Sequence, residues 1–417
     1  MLKNFTLIDG NGGTPLQDAA LLADAGRITW VGPAAQLAVP AGAVAQDLAG
    51  KFVMPGIIDL HVHVSNSDGL VQDPRKFFTR ANAEAELKQF AGYGVTSVVS
   101  QGTDMPVVYD IRAAQRAGRP TMARIFTAGR GFTVTDGFPT NPGNVPGVPY
   151  EVSNVTQVAA DVEELAANHP DVVKVWVDDR FGDFKKTPIN LSSAIIKESH
   201  KHGLKALAHV FYLEDAKQTA AAGLDALAHS VRDKPVDDEL IRIMKAHGTW
   251  QVATLTRDAT PFAWAEPAPF LADPFFTRVA PPLFLAALKS PQFHDGMVAD
   301  KHFPEYPGYL KNSQQNLKRL FDAGVKIGFG TDAGPPGRPP AYLEHWELAL
   351  MAEAGLTPMQ IITAATRSGA EFLGAKDLGT LERGKWADLI VLGRSPLADI
   401  KNSRTIESVY VAGNKVQ

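Results

Sequence analysis

Apolar residues along this chain gather in short runs that stop abruptly, and the polar chemistry sits at the run ends. Eight runs read as strands: residues 53–63, 95–100, 122–127, 172–177, 205–210, 226–230, 249–255 and 325–331. Helix-like stretches lie between most of them. Residues 110–117 and 214–223 read as helices, and Asn190 is placed to cap another over 191–202, with Gly203 just past its end. Thr357-Pro358 opens a helix that runs to Phe372, with threonine at the cap and proline at the first helical position. Eight strands alternating with helices predict an α/β chain built as a (β/α)8 barrel.

The two chain ends carry a different pattern. Residues 5–8, 19–23 and 27–31 are short strand candidates separated by Gly-rich turns such as Asp9-Gly-Asn-Gly-Gly13. Residues 387–392 and 408–412 repeat that pattern near the C-terminus. Both ends are expected to pair as one β-sandwich module, 1–52 plus 376–417, beside a barrel over 53–375. Two connections are too long to be turns. Residues 129–150 are rich in Gly, Pro and Thr, and residues 256–311 are crowded with Phe, Trp, Tyr and Pro. Both would leave the carboxyl face of the barrel, where loops serve as lids or binding walls. The segment 256–311 is the candidate lid. Its Phe262, Trp264, Phe270, Phe275 and Phe276 either wall an apolar substrate or, the favoured alternative, form the insertion's own small core. His294 and His302 in the same segment are expected to face solvent.

Composition narrows the chemistry. The 417 residues carry a net charge of −4 and no basic block, which argues against nucleic acid. No apolar run approaches the roughly 20 residues that span a bilayer, so no membrane partner is expected. The N-terminus lacks the apolar core of a signal peptide, which points to the cytoplasm; a periplasmic or secreted location follows if a leader has been removed. There are no cysteines, so any metal must be held by nitrogen and oxygen.

Six residues stand out. His61 and His63 end the first run, and positions i and i+2 of a strand share a face, so two imidazoles aim at one point. That suits a divalent transition metal. Lys174 lies inside the apolar run 172–177, where a lysine is costly unless paired or modified. Burial lowers its pKa, and the neutral amine can take up carbon dioxide as a carbamate that bridges two cations. A snorkelling or salt-bridged lysine is the plainer alternative. His209 and His229 end the fifth and sixth runs, one strand–helix repeat apart. Asp332 ends the eighth and can bind metal or accept a proton. Each alone is ambiguous; the ordered set is hard to explain by chance.

With these residues in place the chain resembles the amidohydrolase superfamily over nearly its whole length. The resemblance rests on Pro55-Gly-Ile-Ile-Asp-Leu-His-Val-His63 and on Gly379-Thr-Leu-Glu-Arg-Gly-Lys-Trp-Ala-Asp-Leu-Ile-Val-Leu392. It implies a (β/α)8 barrel flanked by a β sandwich from both chain ends. Lys174 is similar to the bridging lysine of the binuclear branch, which the deaminases and imidazolonepropionases of the mononuclear branch lack. The resemblance then implies that His61, His63 and Asp332 hold one metal, His209 and His229 a second, and carboxylated Lys174 bridges them. Two divalent ions follow, zinc being the default. Among members, the prolidases, dipeptidases and carboxypeptidases that cleave Xaa-Pro or N-acyl amino acids are most similar. Their fifth strand commonly reads His-Ala-Tyr; here it reads His209-Val-Phe-Tyr212.

The expected activity is hydrolysis of a C–N amide or peptide bond in an N-acyl amino acid or dipeptide-like small molecule. A water bridging two cations roughly 3.5–4 Å apart would ionise near neutral pH, and Asp332 would shuttle the proton. A lactone, ester, carbamate or phosphotriester is the alternative at the same centre, and a non-catalytic binding barrel is a third. Arg180 and Arg257 follow the fourth and seventh strands and either could grip a substrate carboxylate, or sit in a surface ion pair. Tyr212 is a further candidate contact. A homo-oligomer is expected, as in related barrels.

Overall fold

The computed structural model describes residues 1–140 and 145–417. Parallel strands carry it. Ile57–Val62, Val95–Ser100 and Arg124–Thr127 pair side by side in chain order. Val172–Val177, Lys205–Val210, Ala226–Leu227, Trp250–Ala253 and Ile327–Phe329 form a second parallel run. The short strands Phe132–Thr133 and Tyr150–Glu151 extend its free edge. Helices such as Arg80–Gly92, Val155–Ala167, Ile189–Lys201 and Leu213–Ala221 fill the connections. The chain is thus an α/β protein on parallel strands. Every residue of Ile57–Val62, Val95–Ser100 and Val172–Val177 is buried, the burial expected of parallel strands covered on both faces.

Contacts also join the first strand to the last. The Asp332 and His63 amides donate to His61 O and Ala333 O, each at 2.7 Å. The consequence for function is direct, because these bonds bring His61, His63 and Asp332 to one place.

The run 53–63, expected as one strand, is two. Phe52–Pro55 pairs antiparallel with Leu389–Leu392, whereas Ile57–Val62 pairs with Val95–Ser100. The chain changes sheets at Gly56, where a Cβ would lie 2.1 Å from Thr96 Oγ1, so no larger residue fits. Phe52–Pro55 therefore belongs to the eight-stranded sheet made from both chain ends. That sheet runs Asn414–Lys415, Ile406–Val411, Leu389–Leu392, Phe52–Pro55, Leu2–Leu7, Leu16–Asp24 and Arg27–Pro33, with Gln46–Asp47 paired to Leu2–Leu7. Phe5, Leu21, Ile28, Val53, Leu389 and Val391 are buried together in its core.

Other boundaries moved for local reasons. The helix expected over 191–202 spans Ile189–Lys201 with Pro188 in the cap position, so Asn190 sits inside its first turn and does not cap it. Thr357 does cap its helix, in a reciprocal pair with Gln360. That helix continues through a π turn at Ala364–Ser368 to Leu373. The apolar runs 226–230 and 325–331 keep only Ala226–Leu227 and Ile327–Phe329 as strand. Their polar ends bend out of the ladder, which is how the ligand candidates leave it.

The segment 256–311 starts within helix Leu255–Ala263 and ends within helix Tyr306–Asp322, with four short α-helices and the 3-10 turn Phe303–Glu305 between. Its aromatic residues pack inward. Phe276 and Phe284 are fully buried, and Trp264 lies over both with centroids at 5.6 and 5.4 Å. Phe276 belongs to the insertion's own core, whereas Trp264 packs on that core and also lines a cavity beneath the insertion. Part of the other long connection, residues 141–144, lies outside the described residues. Among the described residues no helix is long and apolar enough to cross a membrane.

Candidate metal centre

The six singled-out side chains are all buried: His61, Lys174 and His229 completely, His209, Asp332 and His63 almost so. Ligand atoms of His61, His63 and Asp332 lie within 4.8 Å of one another. Asp332 Oδ1 is 3.1 Å from His63 Nε2 and 3.5 Å from His61 Nε2. Lys174 Nζ stands 3.0 Å from His61 Nε2. The His229 ring is 4.6 Å from that of His61 and 4.3 Å from that of His209, centroid to centroid. The sequence separates these residues by up to 271 positions; the strand ends bring them together.

Each imidazole is held through one nitrogen. His61 Nδ1 meets Ala228 O at 2.9 Å, His63 Nδ1 meets Thr103 Oγ1 at 2.9 Å, and His229 Nδ1 meets Thr254 Oγ1 at 2.7 Å. His209 is held through Nε2, which lies 2.8 Å from Asp178 Oδ2. Metal-binding histidines are oriented in this way, the second nitrogen fixing the tautomer. His229 Nε2 is buried and has no hydrogen-bond partner among the described residues. A buried nitrogen left unpaired costs free energy unless something occupies it.

Burial sets the charge states. It pushes the His61 and His229 rings far below their usual pKa and the His209 ring down to about 3, so all three are neutral. Neutral imidazole is the metal-binding form. Burial also lowers the Lys174 ammonium to about 7. Burial alone would raise Asp332, but Arg338 and the two nearby histidines hold it well below the carboxylate range. Asp178 is likewise held low against its burial by His209 and nearby arginines.

Local backbone supports the arrangement. Asp332 has φ 60°, a left-handed conformation rare for a residue with a side chain. Gly334, two residues on, has φ 110°, and a Cβ there would lie 1.9 Å from His63 O. Gly334→Ala is expected to displace His63 and to destabilise the fold by about 3 kcal/mol or more, from backbone strain plus the clash. Urea unfolding with zinc titration measures both effects; a variant with wild-type stability and zinc affinity would show that the close approach is dispensable.

Of the substrate candidates, Arg180 and Arg257 line the cavities beside the cluster. Arg257 pairs with Asp258 at 3.2 Å. Tyr212 lines neither cavity; its hydroxyl donates to Asp179 at 2.9 Å and its ring lies under Lys186. His294 is half exposed, but His302 is not solvent-facing: its ring stacks on Phe181 with centroids 4.0 Å apart. Phe181 projects from the loop after the fourth strand and covers that face of the imidazole.

Sequence reading missed Arg338, which donates to Asp332 from the loop Gly334-Pro-Pro-Gly-Arg-Pro-Pro340. It also missed Asp178 and the fully buried Arg232, whose Nε lies 3.3 Å from Asp258 Oδ1. A cation inside a Pro/Gly loop and an acid four residues beyond Lys174 were the available signals.

Comparison with known proteins adds the following. The Amidohydrolase family matches residues 52–416. An imidazolonepropionase of Deinococcus radiodurans is 25% identical over 408 residues, covering 95% of this chain and 92% of that protein. An ochratoxinase of Aspergillus niger is 28% identical over 434 residues, covering 95% and 81%. Among solved structures, a Xaa-Pro dipeptidase with bound methionine in the active site superposes with a TM-score of 0.78 at 23% identity, covering 99% of this chain and 98% of that one.

Proposed function

The chain belongs to the amidohydrolase family and is a hydrolase acting on C–N bonds; from that premise we propose that it cleaves the amide bond of N-acyl amino acids or dipeptide-like substrates at a centre for two divalent cations, zinc by default. His61, His63 and Asp332 would hold one cation, His209 and His229 the other, and Lys174 would bridge them as its carbamate. The fold in this reading is a (β/α)8 barrel beside a β sandwich from both chain ends. The bonds that link His61 and His63 to the Thr331–Ala333 segment support barrel closure.

The observation that carries the reading is Lys174. A fully buried lysine 3.0 Å from a histidine nitrogen has no carboxylate within 4.0 Å among the described residues, so the salt-bridged alternative lacks its partner. Burial keeps its amine available, and the Nζ lone pair forms an N–C bond to carbon dioxide with release of one proton. The product is an anion with two oxygens. The unpartnered His229 Nε2 fits the same assignment.

When bound, a pair of divalent cations supplies an ionisable water and polarises the substrate carbonyl. The chain does the rest. Thr103, Ala228 and Thr254 fix three imidazoles, and Asp178 turns His209 so that Nδ1 is its free nitrogen. Asp332 is poised to accept the proton of the attacking water and return it to the leaving nitrogen. Arg338 pairs with Asp332 and aims its carboxylate.

The test is metal content. Protein refolded with zinc and bicarbonate is expected to hold two zinc ions per chain, and to show a carbamate carbon signal when labelled with ¹³C-bicarbonate. One zinc per chain with no such signal would contradict the binuclear assignment.

A further inference from the structure

We propose that the site takes N-acyl amino acids that combine a free α-carboxylate, a large apolar or aromatic side chain and a small acyl group. This rests on the amide-hydrolase reading above and adds the direction in which substrate lies. Two cavities meet beside the ligand cluster. The smaller, about 180 Å³, is lined by His63, His209 and Asp332. The larger, about 500 Å³, lies under the insertion and is lined by Phe181, Phe211, Trp264 and Phe293. Arg180, Arg257 and Arg338 line both, so they stand at the boundary between the two.

Their pairing is unequal. Arg257 has Asp258, and Arg338 has Asp332. Among the described residues Arg180 has no ion pair; its guanidinium lies 5.2 Å from the Phe138 ring centroid. Three guanidinia at one boundary, one of them unpaired, form a receptor for a small anion, and planar guanidinium matches carboxylate best.

The boundary position fixes the orientation. A scissile carbonyl must lie in the smaller cavity, against the ligand cluster. An α-carboxylate is one carbon from the scissile nitrogen, so a carboxylate at the boundary sends the amino-acid side chain into the larger cavity. The acyl group is then confined to what remains of the smaller one. The sizes agree in order, since the larger cavity offers about 500 Å³ and the smaller about 180 Å³, part of which the reacting carbonyl must occupy. Aromatic rings wall both cavities, Phe138 and Trp176 in the smaller, so it is the greater room of the larger one that assigns it the bulky apolar side chain.

The experiment compares three compounds with the zinc-loaded enzyme. N-acetyl-L-phenylalanine and N-phenylacetylglycine each carry one phenyl ring and one free carboxylate, with the ring on opposite sides of the amide. N-acetyl-phenethylamine lacks only the carboxylate. We expect kcat/KM for N-acetyl-L-phenylalanine to exceed each of the others by at least about tenfold. Arg180→Ala should collapse the advantage over N-acetyl-phenethylamine, and Arg180→Lys should restore part of it. Faster cleavage of N-phenylacetylglycine, or indifference to the carboxylate, would overturn the orientation while leaving the amide-hydrolase reading intact. Cleavage of none of the three by protein holding two zinc ions would overturn the substrate proposal, and cleavage of dipeptides by the same preparation would show that the amide-hydrolase reading survives it.

Discussion

Lys174→Ala is expected to lower amide turnover by at least about 10³-fold and to reduce bound zinc from two ions per chain to one. The size follows from the electrostatic contribution of a bridged metal pair, several kcal/mol of transition-state stabilisation, with each 1.36 kcal/mol worth tenfold. Loss of the fold is not the expected cause. Lys174 is wholly buried and its desolvated amine is a burden on stability, so removing it leaves a cavity but no orphaned partner charge. Lys174→Met controls for volume: it keeps the apolar stem and should be equally inactive with a normal melting temperature. Turnover above a tenth of wild type in either variant, measured at saturating zinc, would remove Lys174 from the centre.

Asp332→Asn is expected to cost about 10²–10⁴-fold in kcat, the range of general acid–base catalysis, while zinc stays bound. The substitution preserves shape and removes the ability to take a proton. Asp332 is held well below the carboxylate range by Arg338 and the neighbouring histidines, so it is ionised across the working pH range. Asp332 is therefore expected to contribute no acidic limb to the wild-type kcat profile in that range, and the variant should be slow at every pH rather than shifted. Arg338 loses its paired charge at the same time, and a lower melting temperature is expected from the cation left uncompensated. Near-normal kcat with two zinc ions bound would assign the proton transfer elsewhere.

Much of this was legible in the sequence because strand ends are where an α/β chain places its chemistry. His61, His63, Lys174, His209, His229 and Asp332 each interrupt or close an apolar run, and although each alone is ambiguous, six in that order point to one site. The split at Gly56 was not legible. Residues 53–62 are apolar or buried throughout, and only the pairing of Phe52–Pro55 with the C-terminal Leu389–Leu392 shows that two sheets share the run. Asn190 was misread as a cap because Pro188 starts the helix earlier. The partners of the site residues were also hidden. Asp178 reaches His209 across adjacent strands, where Trp176 is the residue in register with His209. Arg338 returns to Asp332 from a proline-rich loop of no regular period. His302 lacked any pattern that would announce its stack on Phe181.

The most direct measurement of the central claim is amine release from a panel of N-acyl amino acids and dipeptides by zinc-loaded protein, run beside Lys174→Ala. The account predicts turnover in the wild type that disappears in the variant. Silence from the wild type across the panel, with two zinc ions bound, would contradict it and turn attention to lactones, esters and phosphotriesters at the same centre.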